Sequence, residues 1–307
     1  MDQFNVYKDM KARTNGEIYI GVVGPVRTGK STFIKRFMNL MVLPNIEDEN
    51  DRNRANDELP QSSSGKTIMT TEPKFVPNEA VSIKTEEGIE LNVRLIDCVG
   101  YMVEGATGHM EGEEERLVKT PWFDYEIPFT KAAAIGTKKV ITEHSTIGVV
   151  VTCDGSFGEI AAKQYEPAEE ETIKQLKALK KPFVVLLNTI HPYSESTKQL
   201  AAEKEEKYQT KVLPMNLEQM KKEDIYEIIK SVLMEFPISS IGFYVPRWTE
   251  MLKKDHPLKM ELLQMARDVI TEKTTMRDIY EEQEKEYEYI TGQKLESVAM
   301  DSGWSSQ

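Results

Sequence analysis

Short apolar runs rich in β-branched residues recur along the chain, separated by segments whose apolar side chains fall at helical spacing. The run EIYIGVVG at 17–24 predicts a buried strand, and the segment STFIKRFMNLMVL at 31–43 predicts a helix. Further strands are predicted at 74–85, 89–97, 145–153, 182–188 and 211–215, and further helices at 2–13, 129–143, 166–180, 194–208, 217–236 and 257–290. Strands that alternate with helices indicate βαβ units, and therefore an α/β fold whose mainly parallel sheet is covered by helices on both faces.

Two long stretches depart from this alternation. Residues 44–73 are polar and rich in Asn, Asp, Glu, Ser and Pro, so we predict a loop with at most one helical turn. Residues 100–128 contain several glycines and prolines, and we predict an irregular segment there. The two strands on either side of the Glu87-Gly88 turn are predicted to pair as a hairpin.

The charge balance excludes several classes of partner. The 307 residues include 39 basic and 51 acidic side chains, which gives a formal net charge of −12 at pH 7. This charge opposes non-specific binding to nucleic acid or anionic lipid. No apolar run approaches the length of about 18 residues that a transmembrane helix needs, and residues 1–16 lack the apolar core of a secretory signal. Cys98 and Cys153 both lie in strand-like runs, which favours a reduced, cytoplasmic compartment.

The motif Gly24-Pro25-Val26-Arg27-Thr28-Gly29-Lys30-Ser31 lies between a predicted strand and a predicted helix. It matches G-x-x-x-x-G-K-[ST], a phosphate-binding loop, or P-loop. In such a loop the glycines let backbone amides turn toward phosphate, the lysine reaches the β- and γ-phosphates, and the hydroxyl binds Mg²⁺. The nucleotide-binding residues predicted from this motif and its surroundings are Gly24, Thr28, Gly29, Lys30, Ser31, Thr32, Gly100 and Asn188.

A second motif, VRLIDCVG at 93–100, ends a predicted strand with a carboxylate. Asp97 is placed to hold Mg²⁺ through water, and Gly100 supplies an amide that can approach the γ-phosphate. Such a D-x-x-G pattern is weak alone, but its combination with the P-loop favours the functional interpretation.

A third candidate comes from the segment KTIMTTEP at 66–73. A threonine between the first helix and the next strand can ligate Mg²⁺ and sense the γ-phosphate. Thr70 and Thr71 both precede the predicted strand, and the sequence does not distinguish between them.

These three motifs, in this order, resemble the translation-factor-like class of P-loop GTPases. That class reads guanine through an Asn-Lys-x-Asp motif, where this chain has Asn188-Thr189-Ile190-His191. Because the carboxylate that would accept from guanine is missing, we predict that guanine selectivity is lost, which leaves adenine as the alternative.

Two further positions, Tyr101 and Arg27, carry hypotheses about nucleotide turnover. Tyr101 follows Gly100 where many GTPases keep a water-orienting glutamine, so the water-positioning group is unidentified. Arg27, inside the P-loop, is either a built-in substitute for an arginine finger or a solvent-facing arginine.

The acidic run Glu169–Glu171 is predicted to be a solvated helix face.

Several segments within residues 9–248 are similar to the stage IV sporulation protein A family of endospore-forming bacteria, which comprises spore-coat morphogenetic ATPases. The similar segments include RTNGEIYIGVVGPVRTGKSTFIK, GKTIMTTEPKFVPNEAV, LIDCVGY, EHSTIGVVVTCDGSFGEI and KPFVVLLNTIHPY. By the family's motif pattern Lys30 is the P-loop lysine, Thr70 and Thr71 are the sensor threonines, and Asp97 is the aspartate on the Mg²⁺ side.

The resemblance implies that ATP, with Mg²⁺, is bound and hydrolysed to drive self-assembly into a static homopolymer. This polymer would form the basement layer of the spore coat, in the cytoplasm of the mother cell at the outer surface of the forespore. A small membrane-anchoring coat peptide and other coat proteins are the implied partners, without nucleic acid and without direct transmembrane insertion.

We expect a P-loop NTPase domain of three α/β/α layers at 1–236, followed by a C-terminal helical appendage at 237–307. Family members are longer, so the appendage is expected to be the start of a truncated, mostly helical middle domain. Two alternatives stay open, a GTPase-like signalling switch and a nucleotide-binding scaffold deficient in hydrolysis.

Overall fold

The computed structural model describes residues 16–60, 72–84, 90–111, 114–157, 160–238, 243, 245, 247–272 and 274–280. Its strands are β1 (Glu17–Val23), β2 (Lys74–Lys84), β3 (Glu90–Asp97), β4 (Met110–Glu111), β5 (Glu114–Glu115), β6 (Leu117–Thr120), β7 (Phe123–Pro128), β8 (Ile147–Cys153), β9 (Phe183–Asn188) and β10 (Val212–Met215). Its α-helices are α1 (Lys30–Phe37), α2 (Glu49–Asp57), α3 (Phe129–Lys139), α4 (Ala162–Ala178), α5 (Glu195–Tyr208), α6 (Lys222–Met234), α7 (Pro257–Glu272) and α8 (Met276–Tyr280). Short π-helical turns extend α1 and α3, at Met38–Val42 and Val140–His144.

The central sheet has six strands in the order β10-β9-β8-β1-β3-β2. All neighbouring strands are parallel except β2, which pairs antiparallel with β3. Every residue of β8 and β9 is buried, as expected for parallel strands that are covered on both faces. The predictions of an α/β fold with a mainly parallel sheet, and of a β2–β3 pair, are confirmed.

Strand β1 lies where the strand order reverses, because it pairs with β3 on one side and with β8 on the other. Right-handed crossovers that run in opposite directions place their helices on opposite faces of the sheet. Ligands of such sheets bind beyond the carboxyl ends of the strands, at this reversal point. The loop that leaves β1 is therefore where the topology predicts a binding site.

Helix α2 corrects the prediction for residues 44–73. We expected at most one helical turn, but α2 is a helix of 9 residues. Asp48 caps its first turn by accepting from the Asp51 N–H at 2.9 Å. The sequence ENDRNRAND carries a single buried side chain, Ala55, so no apolar stripe marked this helix in the sequence.

The segment 100–128 is also more regular than expected. It contains two small antiparallel ladders, β4 with β5 and β6 with β7, where we predicted irregular structure. In the second ladder Thr120 and Ile127 are buried while most neighbours are exposed or half-buried. This alternation of buried and exposed residues is too weak for the strands to be recognised from the sequence.

Several helix boundaries differ from the predictions. Helix α4 begins at Ala162 rather than 166, and α6 begins at Lys222 rather than 217. The expected continuous helix at 257–290 is interrupted, since α7 ends at Glu272 and α8 begins at Met276. The predicted helix at 2–13 lies outside the described residues.

The chain divides into two compact units, residues 16–232 and a second unit that contains residues 233–280. In the second unit the Met276 amide donates to the Phe236 carbonyl at 3.0 Å, and the Ile238 amide donates to the Thr274 carbonyl at 2.9 Å. The Asp278 carboxylate accepts from the Thr274 and Thr275 amides and so caps α8. No described helix combines the length and the apolar character that crossing a membrane requires.

Candidate functional site

The P-loop leaves β1 and enters α1 with little free space around it. Gly24 has a φ of 125°, a left-handed conformation that favours glycine. A Cβ at this position would lie 2.5 Å from the Val151 carbonyl oxygen of β8, so only glycine lets the loop lie this close to the neighbouring strand. The backbone turn predicted from the motif is therefore present, and it lies at the reversal point of the sheet.

Lys30 is the first residue of α1, and its side chain turns back over the loop. Its Nζ donates to the Pro25 carbonyl at 2.5 Å and to the Gly24 carbonyl at 3.3 Å. The residue is only 5% exposed, and this burial lowers the pKa of its ammonium group below the ordinary lysine range. The ammonium group is thus held inside the loop where a triphosphate would be bound.

Asp97 ends β3 at the same edge of the sheet. Its register partner on β1 is Val22, which brings the carboxylate beside the P-loop. Burial raises the pKa of Asp97 to about 6, against the opposing effects of Lys30 and of a hydrogen bond with Ser31. Its Oδ1 is buried and has no hydrogen-bond partner among the described residues.

The orphaned Asp97 oxygen is the observation that tests whether a cation fits here. A buried carboxylate oxygen without a partner is costly unless something absent from the protein chain completes it. Oxygen ligands of the Asp and Ser type suit Mg²⁺. Ser31 and Asp97 were predicted as metal ligands, and the structure brings them together; Thr70 and Thr71 lie outside the described residues.

Gly100 closes the other side of the loop. A Cβ on Gly100 would lie 2.2 Å from the Gly24 carbonyl oxygen and 2.6 Å from the Lys30 Nζ. Two backbone hydrogen bonds fix the contact, from Val26 N to the Tyr101 carbonyl at 2.9 Å and from Tyr101 N to the Gly24 carbonyl at 3.3 Å. The Gly100 amide itself donates to the Thr137 hydroxyl of α3 at 3.2 Å.

Asn188 supports the P-loop from the opposite direction. Its Nδ2 donates to the Thr28 carbonyl at 3.0 Å, and its Oδ1 accepts from the Leu217 amide at 3.2 Å. The side chain is 6% exposed. We predicted Asn188 as a nucleotide-binding residue, and the structure shows it bound to P-loop backbone, where it holds the loop in place.

The remaining predicted residues lie around this centre. Thr28 is buried, with its hydroxyl donating to the Pro25 carbonyl at 3.0 Å, whereas Ser31 and Thr32 are half-buried in the first turn of α1. Arg27 is exposed, with a φ of 61°, and its Nη2 donates to the Thr107 hydroxyl at 3.1 Å. Arg27 is thus tied to the segment that follows Gly100.

Sequence reasoning missed Thr137 altogether. This threonine lies in the helical segment FTKAAAIGTKK, 37 residues after Gly100, and no local pattern marks it. Only the tertiary fold brings its hydroxyl to the loop that follows Asp97.

The acidic run on α4 also differs from its prediction as a solvated face. Glu169 is completely buried; it accepts a hydrogen bond from the Thr152 hydroxyl and pairs with the Lys204 ammonium group at 2.6 Å. Its neighbour Glu170 is about half exposed and pairs with Lys207 at 2.6 Å. The prediction was wrong for Glu169, whose helical position points it at the sheet.

Comparisons with known proteins agree with this geometry. Residues 1–237 match the family model described as the ATPase domain of stage IV sporulation protein A, and residues 238–306 match the model of its middle domain.

Three curated relatives carry the same name. Stage IV sporulation protein A of Bacillus anthracis is 47% identical over 99% of this chain and 62% of the relative. The protein of Clostridioides difficile is 54% identical over 90% of this chain and 56% of the relative, and that of Bacillus subtilis is 46% identical over 99% and 62%. The chain thus spans about three-fifths of the length of these relatives.

Proposed function

Because this chain belongs to the stage IV sporulation protein A family and its residues 1–237 match the ATPase domain of that family, we propose that it binds ATP and hydrolyses it to ADP and phosphate. The observation that carries this proposal is the grouping at the P-loop of Lys30, Ser31 and Asp97, whose Oδ1 has no hydrogen-bond partner among the described residues. All three groups are suited to a triphosphate and its cation.

Each residue has a distinct task in this proposal. The P-loop amides and the first turn of α1 bind the phosphates, while Lys30 exchanges its bonds to the Gly24 and Pro25 carbonyls for phosphate oxygens. Ser31 and Asp97 would hold Mg²⁺, together with the predicted Thr70 and Thr71. When bound, Mg²⁺ neutralises part of the charge on the β- and γ-phosphates.

The choice of base follows from the residues after β9. Asn188 is retained but is occupied with Thr28 and Leu217, and His191 stands where the guanine-reading carboxylate would be. Without that carboxylate the site has lost its selectivity for guanine, and the family's ATPase domain supports adenine instead.

The role in the cell is proposed from the family. Turnover of ATP would drive self-assembly of the full-length protein into the homopolymeric basement layer of the spore coat, in the mother-cell cytoplasm at the outer forespore surface. A small membrane-anchoring coat peptide and other coat proteins would bind this layer. In this proposal residues 1–236 are the ATPase domain and residues 237–307 begin the middle domain, in keeping with the two family models.

Hydrolysis of ATP and GTP by the purified chain tests the proposal, with Lys30→Ala as the inactive variant. Lys181→Ala is a matched control, because Lys181 Nζ also donates to two backbone carbonyls, those of Ser145 and Thr142. Lys181 precedes β9 and lies away from the P-loop. We expect Lys30→Ala to lower ATP turnover at least about 100-fold and Lys181→Ala to change it little.

The other outcomes distinguish the alternatives. A preference for GTP would support a GTPase-like switch, and turnover no higher than that of Lys30→Ala would support a scaffold deficient in hydrolysis. Sedimentation with and without ATP then tests assembly. If ATP does not increase the amount of protein in the pellet, polymer formation by this chain is contradicted.

A further inference from the structure

Gly100 lies beside the P-loop lysine. Its Cα is next to the Lys30 ammonium group, because a Cβ built there would lie 2.6 Å from Nζ. Since a P-loop lysine reaches the β- and γ-phosphates, a backbone amide so close to it is within range of the same phosphate oxygens.

The Gly100 amide, however, already has a partner within the protein. It donates to the Thr137 hydroxyl at 3.2 Å in a buried contact, and Thr137 is completely inaccessible to solvent. The Thr137 hydroxyl proton is directed to the Ala133 carbonyl at 2.8 Å, which leaves an oxygen lone pair to accept from Gly100. Helix α3 thus holds the amide in a defined, satisfied position.

A γ-phosphate must compete with Thr137 for this amide. A hydrogen bond to an ionised acceptor is roughly twice as strong as one between neutral groups, so exchange of the hydroxyl for a phosphate oxygen is favourable. The gain is smaller than for an amide with no partner, because the bond to Thr137 has to be broken. ADP lacks the γ-phosphate and leaves the bond to Thr137 intact.

We propose that Thr137 is a positioning residue that limits the preference of this site for ATP over ADP, by holding the Gly100 amide until a γ-phosphate displaces it. The inference rests on the proposed function, since it assumes that the site binds adenine nucleotides. It gives α3 a part in discriminating ATP from ADP. The P-loop motif does not encode that part.

The test is the ratio of the dissociation constants for ADP and for the non-hydrolysable analogue adenylyl imidodiphosphate, each with Mg²⁺, measured by calorimetry on the full chain. Thr137→Val keeps the shape of the side chain but removes the acceptor, so the Gly100 amide is unsatisfied until a γ-phosphate arrives. We expect the analogue to bind about tenfold more tightly and ADP to change by less than about twofold. Thr137→Ser keeps the hydroxyl and is expected to retain the wild-type ratio.

Thr172→Val is the matched control for loss of a buried helical hydroxyl. Thr172 on α4 is equally buried, and its hydroxyl donates to the carbonyl of Ala168, four residues earlier, at 2.7 Å. This variant loses the same kind of helical hydrogen bond and is expected to leave the ratio unchanged. A ratio unchanged in Thr137→Val, or an equal change for both nucleotides, would overturn the inference.

A second measurement needs no destabilising variant. In wild-type protein labelled with ¹⁵N-glycine, the Gly100 amide resonance should shift strongly with the triphosphate analogue and little with ADP. Equal shifts with both nucleotides would also overturn the inference. If the wild-type chain bound neither nucleotide, the proposed function would fail as well, so the two failures are distinguishable.

Discussion

Two buried pairs of opposite charge lie in the same unit of this protein, and they differ in how completely their atoms are satisfied. Glu169 on α4 has both carboxylate oxygens occupied, one by the Lys204 ammonium group and one by the Thr152 hydroxyl. Asp97, which is attracted electrostatically to Lys30, keeps one buried oxygen without a partner among the residues that the structure describes. Within that part of the chain, both oxygens of Glu169 are satisfied and one oxygen of Asp97 is not.

This difference separates a structural pair from a candidate site better than burial does. Buried charges of either kind are expensive and must be compensated. Where the protein alone supplies all partners, the pair links elements of the fold, here α4, α5 and β8. Where the described residues leave a carboxylate oxygen without a partner beside a glycine-rich loop, that oxygen is a candidate group for binding a ligand or a cation.

The largest effect that tests this comparison is on stability. We expect Glu169→Ala to lower the free energy of unfolding by about 3–5 kcal/mol, because it leaves the mostly buried Lys204 without its counter-charge. Urea unfolding monitored by circular dichroism measures this loss. Nucleotide affinity at low temperature should stay within about threefold of wild type, since the pair does not contact the P-loop.

Glu170→Ala provides the control for this substitution. Glu170 pairs with Lys207 at the same 2.6 Å distance, but both side chains are about half exposed. An exposed pair of this kind contributes at most about 1 kcal/mol. Equal losses for the two variants would show that Glu169 is not the buried anchor that the structure describes.

The same pair shows what sequence reasoning can and cannot reach. On α4 the buried side chains form a helical stripe that includes Glu169, namely Tyr165, Ala168, Glu169, Thr172, Ile173 and Leu176. The spacing of this stripe could have identified Glu169 as inward-facing, but the three consecutive glutamates suggested a solvated surface.

The predictable parts of the site are those whose residues are close in sequence. The β1–P-loop–α1 unit was recognised because an apolar run, a phosphate motif and a helical pattern follow one another. The contacts of Asn188 with Thr28 and of Thr137 with Gly100 join residues 160 and 37 positions apart, and no local pattern encodes them. These contacts depend on strand order, which the sequence constrained only to a mainly parallel sheet.

Asp97→Asn should give the opposite profile to Glu169→Ala. The asparagine can still hydrogen-bond with Ser31 but cannot supply a carboxylate, so we expect ATP turnover to fall about 100-fold, or about 2.7 kcal/mol in activation free energy. The free energy of unfolding should change by no more than about 1 kcal/mol, because the substitution also removes a desolvated charge. Steady-state phosphate release and urea unfolding report the two quantities.

Asp154→Asn is the matched control for Asp97→Asn. Asp154 follows β8 at the same edge of the sheet, but its Oδ1 already accepts from the Ser156 amide at 2.9 Å. We expect turnover to stay within about threefold of wild type. A comparable loss in both variants would mean that any carboxylate at this edge matters, and that the orphaned oxygen is no guide to the site.

Asn188→Ala tests the P-loop support with a smaller effect. It removes the donor to Thr28 and the acceptor from Leu217, so the free energy of unfolding should fall by about 2 kcal/mol. ATP affinity should weaken about fivefold, because the loop is held less firmly. Asn216→Ala, which affects only exposed contacts to Glu218 and Gln219, should change affinity little. Unaltered affinity in Asn188→Ala would show that the loop holds its shape without this side chain.

The last expected effect is a pH dependence that belongs to Asp97. Burial raises the pKa of Asp97 in the folded state to about 6, above the ordinary aspartate value of 3.8, so the folded state binds more protons than the unfolded state between those values. Its contribution to the free energy of unfolding therefore falls as the pH rises through this window. A divalent cation binds the carboxylate form, so affinity for the Mg²⁺–nucleotide complex should weaken about tenfold per pH unit below 6, or about 1.4 kcal/mol.

Carbon-13 NMR of the aspartate carboxyl groups measures this titration directly, with Asp97→Asn used for assignment. Asp278 is an internal reference: burial raises its pKa, but the hydrogen bonds from Thr275 and Thr274 outweigh that effect and lower it below 3.8. In the nucleotide-free chain we expect Asp97 to titrate near pH 6 and Asp278 well below it. Saturation with Mg²⁺ and ADP should move the Asp97 midpoint down while Asp278 stays unchanged. An Asp97 midpoint near 4 without nucleotide would mean that its orphaned oxygen is hydrated, and the contrast with the fully partnered Glu169 would disappear.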